Sequence, residues 1–150
     1  MDDRQRVAAV CWRPGPAEEP EFLLVRTVAG DRWTFPKGGL EPEDATPGEG
    51  AKREAREEAG VEGVAARAPL RAYIHVAQLA SGRSRDQLVE AWLVRVTGTA
   101  GEPEPGRQPS WFAASAAARA LAENQSGPAA VAELHDVLAE AVRVIAAAGG

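Results

Sequence analysis

The chain of 150 residues has a single cysteine, Cys11, so neither an intrachain disulfide nor a thiolate zinc cluster can be built from it. Nothing approaches 18 consecutive apolar residues, so no membrane-spanning helix is expected. The opening "MDDRQRVAAVCW" is acidic and polar, and its apolar run is too short for a secretory leader. Positive charge is also in deficit. A net charge of −5 argues against a general surface for nucleic-acid polymers, though it is compatible with a small anion in a locally basic pocket. Together these shortages predict a cytoplasmic protein without a membrane or nucleic-acid partner.

What is present suffices for one domain spanning 1–150. Hydrophobic residues make up 45% and charged residues 26%, an ordinary globular composition. Residues 6–12 ("RVAAVCW") and 21–27 ("EFLLVRT") read as strands. Two longer strands are expected within 70–79 and 87–97, around the polar turn "ASGRSRD", and a short one around "SWFA". "TGTAGEPEPGRQP" reads as a flexible connection. Helices are expected over 47–59, 115–123 and 128–147. In the last, Val131, Leu134, Leu138, Val142 and Ile145 form one apolar stripe. Strands mixed with helices that cover both sheet faces predict an α/β fold, an α/β/α sandwich around a mixed β-sheet.

The helix over 47–59 has the clearest boundaries. Thr46 is placed as its N-cap, Pro47 at the first helical position and Glu49 where a capping box needs it, with Gly60 as the stop. At about 100° per residue, Glu54, Glu57 and Glu58 fall within roughly one quadrant of this helix. Like charges four residues apart cost a few tenths of a kcal/mol, so water, arginine or a metal ion must offset them. The plain alternative is a solvated helix laced with pairs such as Arg53–Glu57. Ala51, Ala55 and Ala59 would let the helix pack close to a sheet while the glutamates face a cleft. Two details favour that cleft: Lys52 and Arg56 point to the opposite side, and a glycine-rich loop enters immediately before the helix.

The stretch "GGLEPEDATPGEGAKREAREEAGV", residues 38–61, resembles the signature of the Nudix hydrolases. Gly38 is followed by a five-residue spacer, the acid Asp44, then "RE..EE.G" and an aliphatic residue. Asp44 stands where a glutamate is usual, and one residue more than usual separates it from Arg53. Beyond the motif, "RVAAVCWR", "LLV…DRWTFPKGGLEPE" and "GRQPSWF" are similar to the diphosphoinositol polyphosphate phosphohydrolase branch.

The resemblance implies a Nudix-type fold and a pyrophosphohydrolase dependent on Mg2+, with Mn2+ as a substitute, acting on a small phosphorylated metabolite. It makes Glu54 and Glu58 metal ligands, with the Gly38 carbonyl beside them. Glu57 would activate water, and Arg53 would hold a glutamate's rotamer. Asp44 is expected to position the loop. Magnesium suits such a site because it prefers carboxylate oxygen and completes its shell with waters and phosphates. Dinucleoside polyphosphates or diphosphoinositol polyphosphates are the expected substrates. The alternatives are a nucleotide-sanitising or nucleotide-sugar pyrophosphatase and a non-catalytic nucleotide sensor.

Other candidates lie outside the motif. Glu90 interrupts an apolar strand face shared with Leu88, Trp92 and Val94, which suits either an additional metal ligand or a carboxylate that reaches water. Arg6, Arg26, Arg32 and Lys37 flank the motif and are candidate phosphate donors. His75 could touch substrate, although a structural role is the plainer reading, as it is for His135. Trp33 and Phe35 are expected beneath the loop, and Trp111 and Phe112 against the C-terminal helices.

Overall fold

The first strand, β1 (Arg6–Pro14), carries five fully buried residues in a row, Val7 to Cys11. Such an unbroken apolar run fits a strand covered on both faces, and β1 runs through the middle of the sheet. The structure, a computed structural model, describes residues 5–125 and 127–149. The acidic opening at residues 1–4 lies outside them, as do Ser126 and Gly150.

The remaining strands are β2 (Pro20–Arg26), β3 (Trp33–Thr34), β4 (Lys37–Gly39), β5 (Val61–Ala65), β6 (Arg71–Gln78), β7 (Ser84–Thr99) and β8 (Ser110–Ala113). The helices are α1 (Pro47–Ala59), α2 (Ala114–Ala122) and α3 (Pro128–Gly149). One edge of β1 is shared. Its start pairs antiparallel with β4, Val7 opposite Gly38, and its later half with β2, Cys11 opposite Leu23. The other edge pairs parallel with β7, Val7 opposite Glu90. At 16 residues, β7 is long enough to hold both β5 and β6 along its far edge. Both β3 and β8 pair with β2. The sheet is therefore mixed, as expected.

Alternation along the strands sends side chains to two cores. On one face Val7, Ala9 and Cys11 join Trp92, Val94 and the alanines of α1. On the other, Ala8, Val10, Tyr73, Val89 and Leu93 meet Leu121 of α2 and Leu134, Val137 and Leu138 of α3. This is the expected α/β/α sandwich. The stripe of α3 is centred on Leu134 and Leu138, with Val137 and Ala141 also buried, while Val131, Val142 and Ile145 stay partly exposed. Trp111 departs from expectation. It packs on the α1 face, and Phe112, next in β8, meets the C-terminal helices. Among the described residues no helix is long and apolar enough to cross a membrane.

Candidate active site

Helix α1 begins and ends where its local chemistry places it. The Thr46 side chain accepts a hydrogen bond from Glu49 N at 3.1 Å, capping the first turn. The reciprocal arm of the capping box is absent, because the Glu49 carboxylate pairs with Lys52 Nζ at 3.0 Å. Gly60 takes φ 70°, the left-handed stop that glycine adopts without a Cβ clash, and its N–H reaches Arg56 O at 3.0 Å. Gly48, Ala51, Ala55 and Ala59 are buried along one flank, and Gly50 is buried against Leu40 and Asp44 of the loop. With so little side chain between, the helix lies close over β1 and β7.

The three glutamates do not share one environment. Glu54 and Glu58 are each 7% exposed, whereas Glu57 is in solvent. Arg53 connects the group. Its Nε and Nη2 donate to the two oxygens of Asp44, each at 3.0 Å, and Nη2 also reaches Gly39 O at 2.9 Å. Its Nη1 donates to Glu54 at 2.9 Å and Glu57 at 3.1 Å. Asp44 in turn accepts from Glu41 N at 2.9 Å. The Arg53 fork, helped by this N–H, holds the Asp44 carboxyl below the usual range. The extra residue of the loop is thus absorbed before the helix, and Asp44 ties the loop to Arg53. Gly38 lies directly against Glu54, and a Cβ there would stand 2.6 Å from the Glu54 carboxyl carbon.

Glu58 faces a second arginine, one the sequence did not nominate. Arg107 Nη2 lies 3.3 Å from Glu58 Oε2, while its Nε bonds Glu104 at 2.8 Å and its Nη1 bonds Arg26 O at 3.1 Å. Lys37 N donates to the other Glu58 oxygen at 3.2 Å. Burial dominates these partners and raises the Glu58 pKa to about 7. Glu54 is raised for the same reason, against the pull of Arg53. Arg107 sits in the stretch expected to be a flexible connection, and that stretch is pinned. Ala100 N bonds Gly60 O at 2.8 Å, Glu104 N bonds Glu57 O at 2.9 Å, and Arg26 N bonds Arg107 O at 2.6 Å. An arginine between glycine and proline in a loop has no periodicity to betray its partner. Only these tertiary bonds reveal it.

Glu90 lies in register with Gly38 across β1, on the α1 face beside Trp92 and Val94. Its Oε1 accepts from the Trp92 indole at 2.9 Å and from Gln5 Nε2 at 3.2 Å, so its half-buried carboxylate is hydrogen-bonded within the protein. Arg6 and Lys37 fall on the opposite face, in line with the buried Ala8. Arg26 stacks over Trp33 at 4.0 Å, an engagement that turns it to an aromatic partner. His75 is half-buried, its pKa lowered to about 3 by burial and then by Lys37, Arg32 and Arg6. His135 Nε2 lies 2.7 Å from Ala118 O, tying α3 to α2 as a structural histidine. Among the described residues no three His, Cys, Asp or Glu side chains form a ready metal cage.

Residues 3–134 match the family model of the NUDIX domain. The chain belongs to the Nudix hydrolase family. Human diphosphoinositol polyphosphate phosphohydrolase 3-alpha is 48% identical over 61 residues, which cover 40% of this chain and 35% of that protein. The mouse diphosphoinositol polyphosphate phosphohydrolase 2 is 46% identical over 61 residues, 40% of this chain and 32% of the relative. The match thus spans about a third of these curated relatives' length. Among solved structures, the C. elegans Ap4A hydrolase superposes with a TM-score of 0.64 at 21% identity, covering 95% of this chain and 98% of that one. The NUDIX domain of Shewanella oneidensis NrtR, complexed with ADP ribose, gives 0.63 at 14% identity, covering 97% and 90%. At such identities the two structures establish the fold of this Nudix domain.

Proposed function

We propose that this Nudix domain is a metal-dependent pyrophosphohydrolase that cleaves a diphosphate linkage in a small phosphorylated metabolite. The observation that carries the reading is the pair Glu54 and Glu58, four residues apart, buried, and both with raised pKa values. Arg53 and Arg107 offset only part of the cost of holding the two carboxylates out of water, since burial still raises both pKa values. A further cation between them would offset more. A magnesium ion fits this donor set, since it takes few protein carboxylates and leaves positions for water and phosphate. Glu54 and Glu58 would hold it, with the Gly38 carbonyl and Glu90 as further donors. When bound, it supplies charge neutralisation and a more acidic water.

The chain's own groups then divide the work. Arg53 fixes the Glu54 and Glu57 side chains relative to the Gly38–Asp44 loop. Glu57, the exposed carboxylate of the three, would take the proton of the attacking water. Water adds to one phosphorus, the bridging P–O bond breaks, and the proton leaves through Glu57 to solvent. Lys37, Arg6 and Arg32 offer charge-assisted donors to substrate phosphates, and Arg107 lies beside Glu58 on the acid side. Arg26 is better placed as a stacking partner of Trp33. The partial relatives favour diphosphoinositol polyphosphates as substrates, and dinucleoside polyphosphates are the other class that the resemblance of the motif implies.

The test is a panel of dinucleoside polyphosphates, diphosphoinositol polyphosphates, nucleotide sugars and nucleoside triphosphates, with magnesium or with EDTA, products read by mass. Magnesium-dependent cleavage between two phosphorus atoms is expected in at least one class. Binding without turnover of any compound would turn the reading to a nucleotide sensor.

A further inference from the structure

On its α3 side the sheet is not covered out to its edge. A cross-strand row runs from Phe22 through Trp12 and Arg95 to Val64, one residue from each of β2, β1, β7 and β5. Phe22 is buried under the helices, Trp12 is half-buried, Arg95 is exposed and Val64 is 56% exposed. A groove of about 670 Å³ opens there, between Trp12 and Arg95 of the sheet, Val142 and Ile145 of α3, and the β1–β2 turn. A smaller hollow of about 190 Å³ continues it past Trp12 and Leu93 to Val64. Contiguous apolar surface of this kind marks a contact site. It lies away from the acids, since β1 runs from Arg6, opposite Gly39, to Pro14 at the groove.

The chain itself carries what such a groove would take. Residues 144–149 at the end of α3 include no polar side chain, and Ala146 to Ala148 are exposed. Their small side chains keep that end slim enough to lie in a neighbouring groove. Arg95 and Glu18 line the groove with opposite charges, and neither side chain forms a hydrogen bond or ion pair among the described residues. The turn that carries Glu18 is stiff. Pro14, Pro16 and Pro20 set its course, and Ala17 and Glu18 both take left-handed backbone, φ 57° and 62°. A face with its own apolar filler and both signs of charge is complementary to itself, the condition for a twofold pair.

We propose that this face joins two copies of the chain in an isologous dimer. The α3 end of each copy lies in the groove of the other, over Trp12, and Arg95 of each meets Glu18 of its partner. The acids of α1, on the opposite face of the sheet, stay open to substrate. The pairing therefore does not rest on the hydrolytic reading.

Sedimentation equilibrium on the full chain is the test, and a concentration-dependent dimer is expected. Arg95→Glu and Glu18→Arg should each raise its dissociation constant about tenfold or more, because each sets like charges face to face. The double reversal should bring it back to within about threefold of the wild type. Ile145→Glu puts a charge into the apolar centre and should leave a monomer. Melting curves of the four variants verify that folding is kept. A wild type that stays monomeric overturns the interface, and uptake of an apolar dye that Ile145→Glu abolishes would then assign the groove to a small ligand. A dimer that neither single reversal weakens, or that the double reversal does not regain, overturns it too.

Discussion

Arg53 uses all five N–H donors of its guanidinium, on Asp44 twice and on Gly39 O, Glu54 and Glu57 once each. This separates two carboxylates that look alike in sequence. Glu57→Gln keeps shape and helix propensity and should fold normally, yet lose at least about a hundredfold in turnover. Asp44→Asn loses part of the Arg53 fork and should lower the melting temperature, with a far smaller loss of turnover at saturating magnesium. Parallel kinetics and melting curves on the two variants decide it, and equal turnover losses would sink the assignment. A pH experiment reads two further residues. Glu58 is raised from 4.5 to about 7, so the folded state holds a proton that the unfolded state has lost, and stability falls across that window as pH rises. His75 is lowered from 6.5 to about 3, so the unfolded state holds the extra proton, and stability rises with pH from about 3 to 6.5. The two slopes oppose each other from about 4.5 to 6.5. In EDTA, Glu58→Gln should therefore shift the slope of stability against pH upward there, and His75→Gln should shift it downward. Urea titrations at several pH values measure both, and shifts of the same sign would contradict this account.

Elements differ in how much of themselves they announce. Helix α1 was legible because its cap, first proline and terminal glycine lie within its own residues. Thr46→Ala should cost roughly 0.5–2 kcal/mol, whereas Glu49→Gln should cost little, since its carboxylate serves only an exposed pair with Lys52. Chemical denaturation of both variants checks the ratio. The strands β3, β4 and β5 were not legible. Two or three residues carry no periodicity, and β4 exists because Lys37–Gly39 is paired with β1. β5 follows Gly60 without a turn and holds a glycine, Gly63, where it shifts register against β7. The site divides the same way. The acids of α1 were legible from their spacing, while Arg107 and the burial of Glu58 depend on residues far apart in the chain.

Across the whole molecule, a metal held by the buried acids would act as a stabilising ligand. Millimolar magnesium should raise the melting temperature by ligand linkage, and EDTA should reverse it. The shift should vanish when Glu54 and Glu58 are both changed to Gln. A shift retained in that double variant would move the ion elsewhere. The pairing of β1 with β7 has a different consequence, for the order of assembly. It joins Arg6–Trp12 to Val89–Arg95 in parallel, across more than half of the chain, and such long-range pairing slows folding because a large loop must close first. Until it closes, α1 lacks Trp92 and Val94 beneath it and Glu58 lacks Arg107 beside it. On the ribosome, the acidic helix emerges well before the strand that finishes its floor, so the chain passes through a stage in which its carboxylates are made but still open to water.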